Sequence, residues 1–247
     1  MRAVRAIAFA LLAPGLVACQ AVSSNEAWPS RVTMVLVDVS SSTKEGEIRD
    51  RYLEVFRDQI LAATDGEGDD GGIVGGDVID ENPLAHGSLP IDAELRPCGI
   101  HDVKIDCEDR LQAERQQAVE AMEALLEQGS KGTDVFGGLS LSEDYFAAYR
   151  TASERSLVIF SDMEQSARGF RFGRIEDWSE RAIQRLLDEV PPIPLEGVRI
   201  YVAGAGRTAA DRLSPEQIDG IERFWRAYFE RAGAEVVSFG PSLPRFP

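Results

Sequence analysis

The sequence predicts an α/β domain with a doubly wound, largely parallel sheet flanked by helices. Two observations carry that expectation. Val32-Thr33-Met34-Val35-Leu36-Val37, Leu157-Val158-Ile159-Phe160 and the run Val198 to Val202 are apolar without alternation, as in strands buried on both faces. Between such runs lie stretches with helical spacing, and strands alternating with helices across residues 31–247 argue for one domain. A chain of 247 residues is long enough for its core.

The elements follow in order. After the first strand, Ile48, Tyr52, Val55, Phe56 and Ile60 recur at helical spacing through about residue 63, with Glu45 and Glu47 near the helix start, where negative charge is favoured. Thr64 to Gly76 is rich in Asp and Gly and reads as a solvated loop. Its Asp65-Gly66-Glu67-Gly68-Asp69 string lacks the Gly and Glu that a calcium loop requires at its sixth and twelfth positions, which are Asp70 and Gly76. Asp77 to Asp80 and a segment near Leu89 to Leu95 are expected as short antiparallel edge strands, and His86 as an exposed loop residue without a role. A long helix is expected from about Glu108 to Gln128, carrying Leu111, Val119, Met122, Leu125 and Leu126, and Gly129-Ser130-Lys131-Gly132 stops it. Further helices are expected over about 135–149 and 176–189. Ser214-Pro215-Glu216-Gln217 is a capping box opening a helix with Ile218, Ile221, Trp225, Tyr228 and Phe229; Gly233 ends it. Glu235 to Phe239 reads as the last strand.

Three places bring chemistry to the ends of these elements. Asp38-x-Ser40-x-Ser42 follows the first strand, where the crevice of a doubly wound sheet binds ligands. An Asp and two hydroxyls there are hard oxygen donors suited to Mg²⁺, Mn²⁺ or Ca²⁺. Gly132-Thr133-Asp134-Val135-Phe136-Gly137-Gly138-Leu139 and Leu157-Val158-Ile159-Phe160-Ser161-Asp162 are the others. Together they resemble the three pieces of the metal-ion-dependent adhesion site of von Willebrand factor A domains, whose sheet is Rossmann-like. That resemblance implies Asp38, Ser40, Ser42, Thr133 and Asp162 as ligands to Mg²⁺ (or Mn²⁺ or Ca²⁺), and Asp134 as the residue orienting the threonine loop. It implies a partner protein supplying a carboxylate to the open metal position, and no catalysis. The chain departs from the family pattern at Met163, where Gly commonly follows the acidic residue. Glu164 and Asp134 add negative charge that favours Ca²⁺ or Mn²⁺.

Other chemistries fit less well. A phosphohydrolase using Asp38 as nucleophile lacks the second Asp two residues on, which is Ser40 here. A serine hydrolase needs a nucleophile elbow, and no G-x-S-x-G occurs; the only histidines are His86 and His101. Gly204-Ala205-Gly206-Arg207-Thr208-Ala209 matches a dinucleotide fingerprint, but the capping box starts the helix several residues late. It reads instead as a tight loop bordering the same crevice, with Arg207 near a partner's acidic group. A scaffold working without metal is the remaining alternative.

The ends of the chain concern export. Arg2 and Arg5, the apolar run Ile7 to Leu12 and Leu16-Val17-Ala18-Cys19 make residues 1–18 a signal peptide. They resemble a bacterial lipobox, which implies lipidation of Cys19, and residues 19–30 form the lipidated start and a polar tether, with Trp28 available to pack back on the domain. Acyl chains at about 0.8 kcal/mol per buried CH₂ hold such a protein at a membrane surface. Gln20 in place of Asp favours the outer membrane, on its periplasmic face. Cys98 and Cys107, the pair left after Cys19, are expected to form a disulfide in that oxidising setting, with His101 the only other soft ligand nearby. The formal charge is −16, and losing Arg2 and Arg5 leaves −18, which argues against nucleic-acid partners.

Overall fold

The computed structural model describes residues 28–44, 46–65, 71–167, 169–206, 213–243 and 246. Residues 1–18, expected as a signal peptide, Cys19, the central part of the Asp/Gly-rich segment and Arg207 lie outside the described residues. Six strands form one sheet in the order β3-β2-β1-β4-β5-β6. They are β1 Arg31–Asp38, β2 Gly72–Ile79, β3 Ile91–Leu95, β4 Glu154–Phe160, β5 Arg199–Ala203 and β6 Glu235–Gly240. Every pairing is parallel except β2 with β3. The helices are α1 Gly46–Val55, α2 Ala62–Asp65, α3 Lys104–Glu127, α4 Val135–Ala148, α5 Glu180–Glu189 and α6 Pro215–Arg231, with a π-helical segment Phe56–Leu61 joining α1 to α2.

Alternation within β1 shows why both faces are covered. Val32, Met34 and Leu36 enter a core with residues of α4, α5 and α6, whereas Val35 and Val37 enter a second core with α1, the π segment and α3. A strand with apolar side chains on both faces is stable only between two helical layers. The sheet is therefore doubly wound, as expected.

The region between β1 and α3 differs from the sequence reading. Gly72 to Gly76 is not loop but the first half of β2, and Asp77 to Ile79 completes it as a buried interior strand parallel to β1. Glycine serves close approach here: a Cβ on Gly75 would lie 2.6 Å from the Tyr145 ring. Only Ile91–Leu95 is the antiparallel edge strand. Helix α5 begins at Glu180, later than its periodicity suggests, because the Ser179 hydroxyl accepts the Ala182 N–H and fixes the start. Helix α3 begins earlier, at Lys104, with Cys107 in its first turns.

Cys98 and Cys107 are disulfide-bonded. The capping box of α6 is also present: Ser214 Oγ accepts the Gln217 N–H and Gln217 Oε1 accepts the Ser214 N–H. Trp28 packs back on the domain beneath the Arg96 guanidinium, 5.0 Å from its ring centre. Among the described residues no helix is long and apolar enough to cross a membrane.

Candidate functional site

Strand order places the carboxylates. The chain proceeds from β1 outward through β2 and β3, then crosses back to β4 on the other side of β1. The gap between β1 and β4 is thus the switch point of the sheet, where a crevice opens beyond the strand ends. Val37 pairs with Phe160, so Asp38 and Ser161 leave the sheet side by side. Asp38 is 1% exposed and Asp162 3%.

Asp38 is held from several directions. Its Oδ1 accepts the Ser40 N–H at 2.9 Å, and its Oδ2 accepts the Ser161 hydroxyl at 2.7 Å. The Thr43 hydroxyl donates to the Asp38 carbonyl at 2.6 Å, closing the turn that carries Ser40 and Ser42. Burial, together with the field of Asp162, pushes the Asp38 carboxyl up to about 7, against the hydrogen bonds from Ser161 and Ser40 that lower it. Arg49, whose charge reaches Asp38, donates instead to the carbonyls of Thr43, Leu126 and Gln128.

Ser40 Oγ and Ser42 Oγ lie 2.9 Å apart. The threonine loop flanks this turn: Ser40 bridges to Ser130, whose N–H donates to the Val39 carbonyl. On its other side, Thr133 is clamped to the loop after Asp162, its N–H donating to Ser166 Oγ at 2.8 Å and its carbonyl accepting the Ser166 N–H. All five predicted ligands therefore lie on three adjoining loops at one end of the sheet.

Asp134 fits an orienting position. It is fully buried, its N–H donates to the Asp80 carbonyl at 2.7 Å, and its Oδ1 accepts from Gln165 Nε2. Gln165 also accepts the Val135 N–H at the start of α4. Phe136 then packs on Trp225 with ring centres 4.9 Å apart, tying the loop to α6. Sequence reasoning missed Ser161, Gln165, Ser166 and Thr43. The Ser161-x-x-x-Gln165-Ser166 spacing held no signal by itself, because its partners lie about 30 or more positions away.

Met163 adopts φ 63, a left-handed conformation that glycine reaches without strain. Its N–H donates to Ser161 Oγ, its carbonyl accepts the Trp225 indole N–H, and its side chain is fully buried. These contacts hold the residue against a conformational cost of about 1–2 kcal/mol. Met163→Gly removes that strain but also a buried side chain whose truncation costs about 2–5 kcal/mol. We expect a net loss of about 1–3 kcal/mol in urea denaturation, with the turn geometry kept.

His86 is not idle. Its Nδ1 lies 3.0 Å from both carboxylate oxygens of buried Asp77, and its Nε2 lies 3.1 Å from Asp80 Oδ2. Burial opposes the imidazolium, but the hydrogen bonds and charges of Asp77 and Asp80 outweigh it and raise its pKa. Burial likewise raises Asp77, opposed by the Val78 N–H and His86. The loop segment appeared free of function in sequence because Asp77 was read at an edge. His86→Ala strips Asp77 of its partner and should cost about 1.5–3 kcal/mol near neutral pH, read by urea denaturation. A raised histidine stabilises most below its unfolded pKa, so the penalty shrinks as the pH rises through the folded value.

The donor set is all oxygen: two buried carboxylates and three hydroxyls. Such a set suits a hard dication. The 2.9 Å separation of Ser40 and Ser42 equals that of neighbouring corners of an octahedron with about 2.1 Å bonds. Among the described residues no three His, Cys, Asp or Glu side chains are grouped to hold a metal. Asp162 also lines a small pocket with Ala205 and Gly206, closed by Ile218, Ile221, Glu222 and Phe239.

The molecule is thus an α/β domain with an oxygen-lined crevice at its switch point. The chain matches no model of a known protein family, and no curated protein matches it.

Proposed function

We propose that the protein is a lipid-anchored, divalent-metal-dependent protein-binding module of the bacterial cell envelope, similar to von Willebrand factor A domains. The observation that carries this reading is the pair Asp38 and Asp162, buried together at the ends of adjacent parallel strands and surrounded by the hydroxyl-bearing loops of Ser40, Ser42 and Thr133. Burial and the neighbouring Asp162 make ionised Asp38 costly, and a dication bound between the two carboxylates would offset that cost. In this reading Asp38, Ser40, Ser42, Thr133 and Asp162 hold Mg²⁺, Mn²⁺ or Ca²⁺, and Asp134 and Gln165 fix the threonine loop. A bound ion offers an electron-poor position to a carboxylate of a partner protein. Ser161 and the Ser40 N–H keep Asp38 aimed into the crevice, and Trp225 fixes the loop that carries Asp162. The export reading places the domain at the outer membrane, tethered through Cys19.

Mn²⁺ binding followed by its paramagnetic resonance tests the site. One ion per chain, lost in both Asp38→Ala and Asp162→Ala, is the expected result, with no phosphate released from p-nitrophenyl phosphate. Phosphate release lost in Asp38→Ala would favour a metal-assisted phosphohydrolase. Absence of binding by a folded chain would leave a metal-free scaffold.

A further inference from the structure

The end of the domain opposite the crevice carries a second surface. Strand β3 runs antiparallel, so Leu95 stands beside Gly72 and Arg31 at the starts of β2 and β1. The chain then forms a tip closed by the Cys98–Cys107 disulfide. On that tip Ile100 is 96% exposed, Val103 62% and Ile105 65%. Three large aliphatic side chains in water within six residues are an unusual cost for a chain with 28% charged residues. The disulfide and the helix start at Lys104 hold them on a closed loop.

The same end receives the N-terminal tether. Ser30 is fixed at the start of β1 by the Gly71 carbonyl and the Glu154 N–H, and Trp28 lies beneath Arg96, two residues before Cys98. Trp28 stands nine positions after Cys19, a reach of about 30 Å when fully extended. A lipid on Cys19 therefore ties the domain to the bilayer from this end.

We propose that the disulfide-closed tip, through Ile100, Val103 and Ile105, docks into the headgroup region of the membrane that holds the tether, so that the carboxylate crevice points away from the bilayer. This rests on the lipid-anchor reading of Cys19. Aliphatic side chains on a rigid tip gain by leaving water at an interface, and the tether supplies a high effective concentration.

The test uses residues 19–247, which keep every described residue. The Cys19 thiol is coupled to a maleimide lipid in vesicles of phosphatidylethanolamine with a minor share of phosphatidylglycerol, and amide hydrogen exchange is followed. Coupling should slow exchange over residues 98–107 by roughly tenfold and leave 130–134 and 161–167 unchanged. The triple variant Ile100→Ser, Val103→Ser, Ile105→Ser should couple equally well and lose that protection. Unchanged exchange at the tip on coupling, or equal protection at both ends, overturns the proposal. Protection that grows with protein concentration without vesicles also overturns it and assigns the tip to a second copy of the chain. The anchor is read separately, from the mass of the Cys19 peptide in chain produced in a bacterium. An unmodified Cys19 removes the anchor reading, whereas the coupled vesicles report on the tip in either case.

Discussion

Stripped of divalent ions, the protein loses stability as the pH rises from about 4 to about 7, and Asp38→Asn removes most of that loss. Burial and the field of Asp162 raise the Asp38 carboxyl to about 7. A folded-state value above the unfolded one means that the folded chain binds the proton more tightly. Its contribution is then fully present below the unfolded value and disappears as the pH climbs to the folded value. Three units of displacement correspond to about 3–4 kcal/mol. His86 and Asp77, also raised, add slopes of the same sign, so the difference between the parent and Asp38→Asn is the quantity to measure. A bound dication reverses the sense, because it holds both carboxylates ionised and gains affinity as they deprotonate. Millimolar Mg²⁺, Mn²⁺ or Ca²⁺ should therefore stabilise the chain more at high pH than at low. At about 100 times its dissociation constant an ion adds roughly 2.7 kcal/mol, or about 5–10 °C in melting temperature for a domain of this size. The gain should vanish in Asp38→Ala. Melting curves that do not respond to any of the three ions would sink the adhesion mechanism while leaving the fold untouched.

Gly204→Ala should be among the most damaging of the small substitutions in this domain, costing about 2–4 kcal/mol and weakening ion binding with it. Gly204 has φ +104, and a Cβ there would lie 2.2 Å from the Tyr52 hydroxyl and 3.0 Å from the Ser161 carbonyl. Tyr52 is itself stacked on Phe160, with ring centres 4.5 Å apart, so neither neighbour can retreat freely. Relief would push Ser161 away from Asp38 Oδ2. Gly206→Ala is the control: it too has positive φ, but among the described residues its added Cβ would meet only Ile218 Cγ2, at 3.0 Å. It should cost about 1 kcal/mol and leave ion binding intact. Equal losses for the two variants would show that conformational strain, and not the contact with Ser161, sets the effect.

Gly204 also shows how a sequence pattern and its physical use can differ. G-x-G read as a nucleotide fingerprint is a statement about phosphate; in the fold the first glycine lets one strand end pass close to another. His86 shows the opposite error. Its sequence neighbours are small and polar, and nothing local reveals that Asp77 stands one strand in from the edge, buried and needing a partner. The glycines of β2 were similarly misleading, since a loop composition conceals a strand when neighbouring side chains fill the space that its own residues lack.

What the sequence determined by itself lies within short spans of chain. Unalternating apolar runs specify buried strands, Ser214 to Gln217 starts α6, and the pair Cys98 and Cys107 forms the disulfide. The positions of Asp38 and Asp162 at strand ends were legible for the same reason, because each stands within two residues of the end of its apolar run. Only the tertiary structure decided the rest. Ser161 reaches Asp38 across 123 residues, and Gln165 joins the two far loops through contacts about 30 residues apart. Those partnerships depend on strand order and register, which are set by the packing of two helical layers against one sheet. No local propensity encodes which strand end will stand beside which.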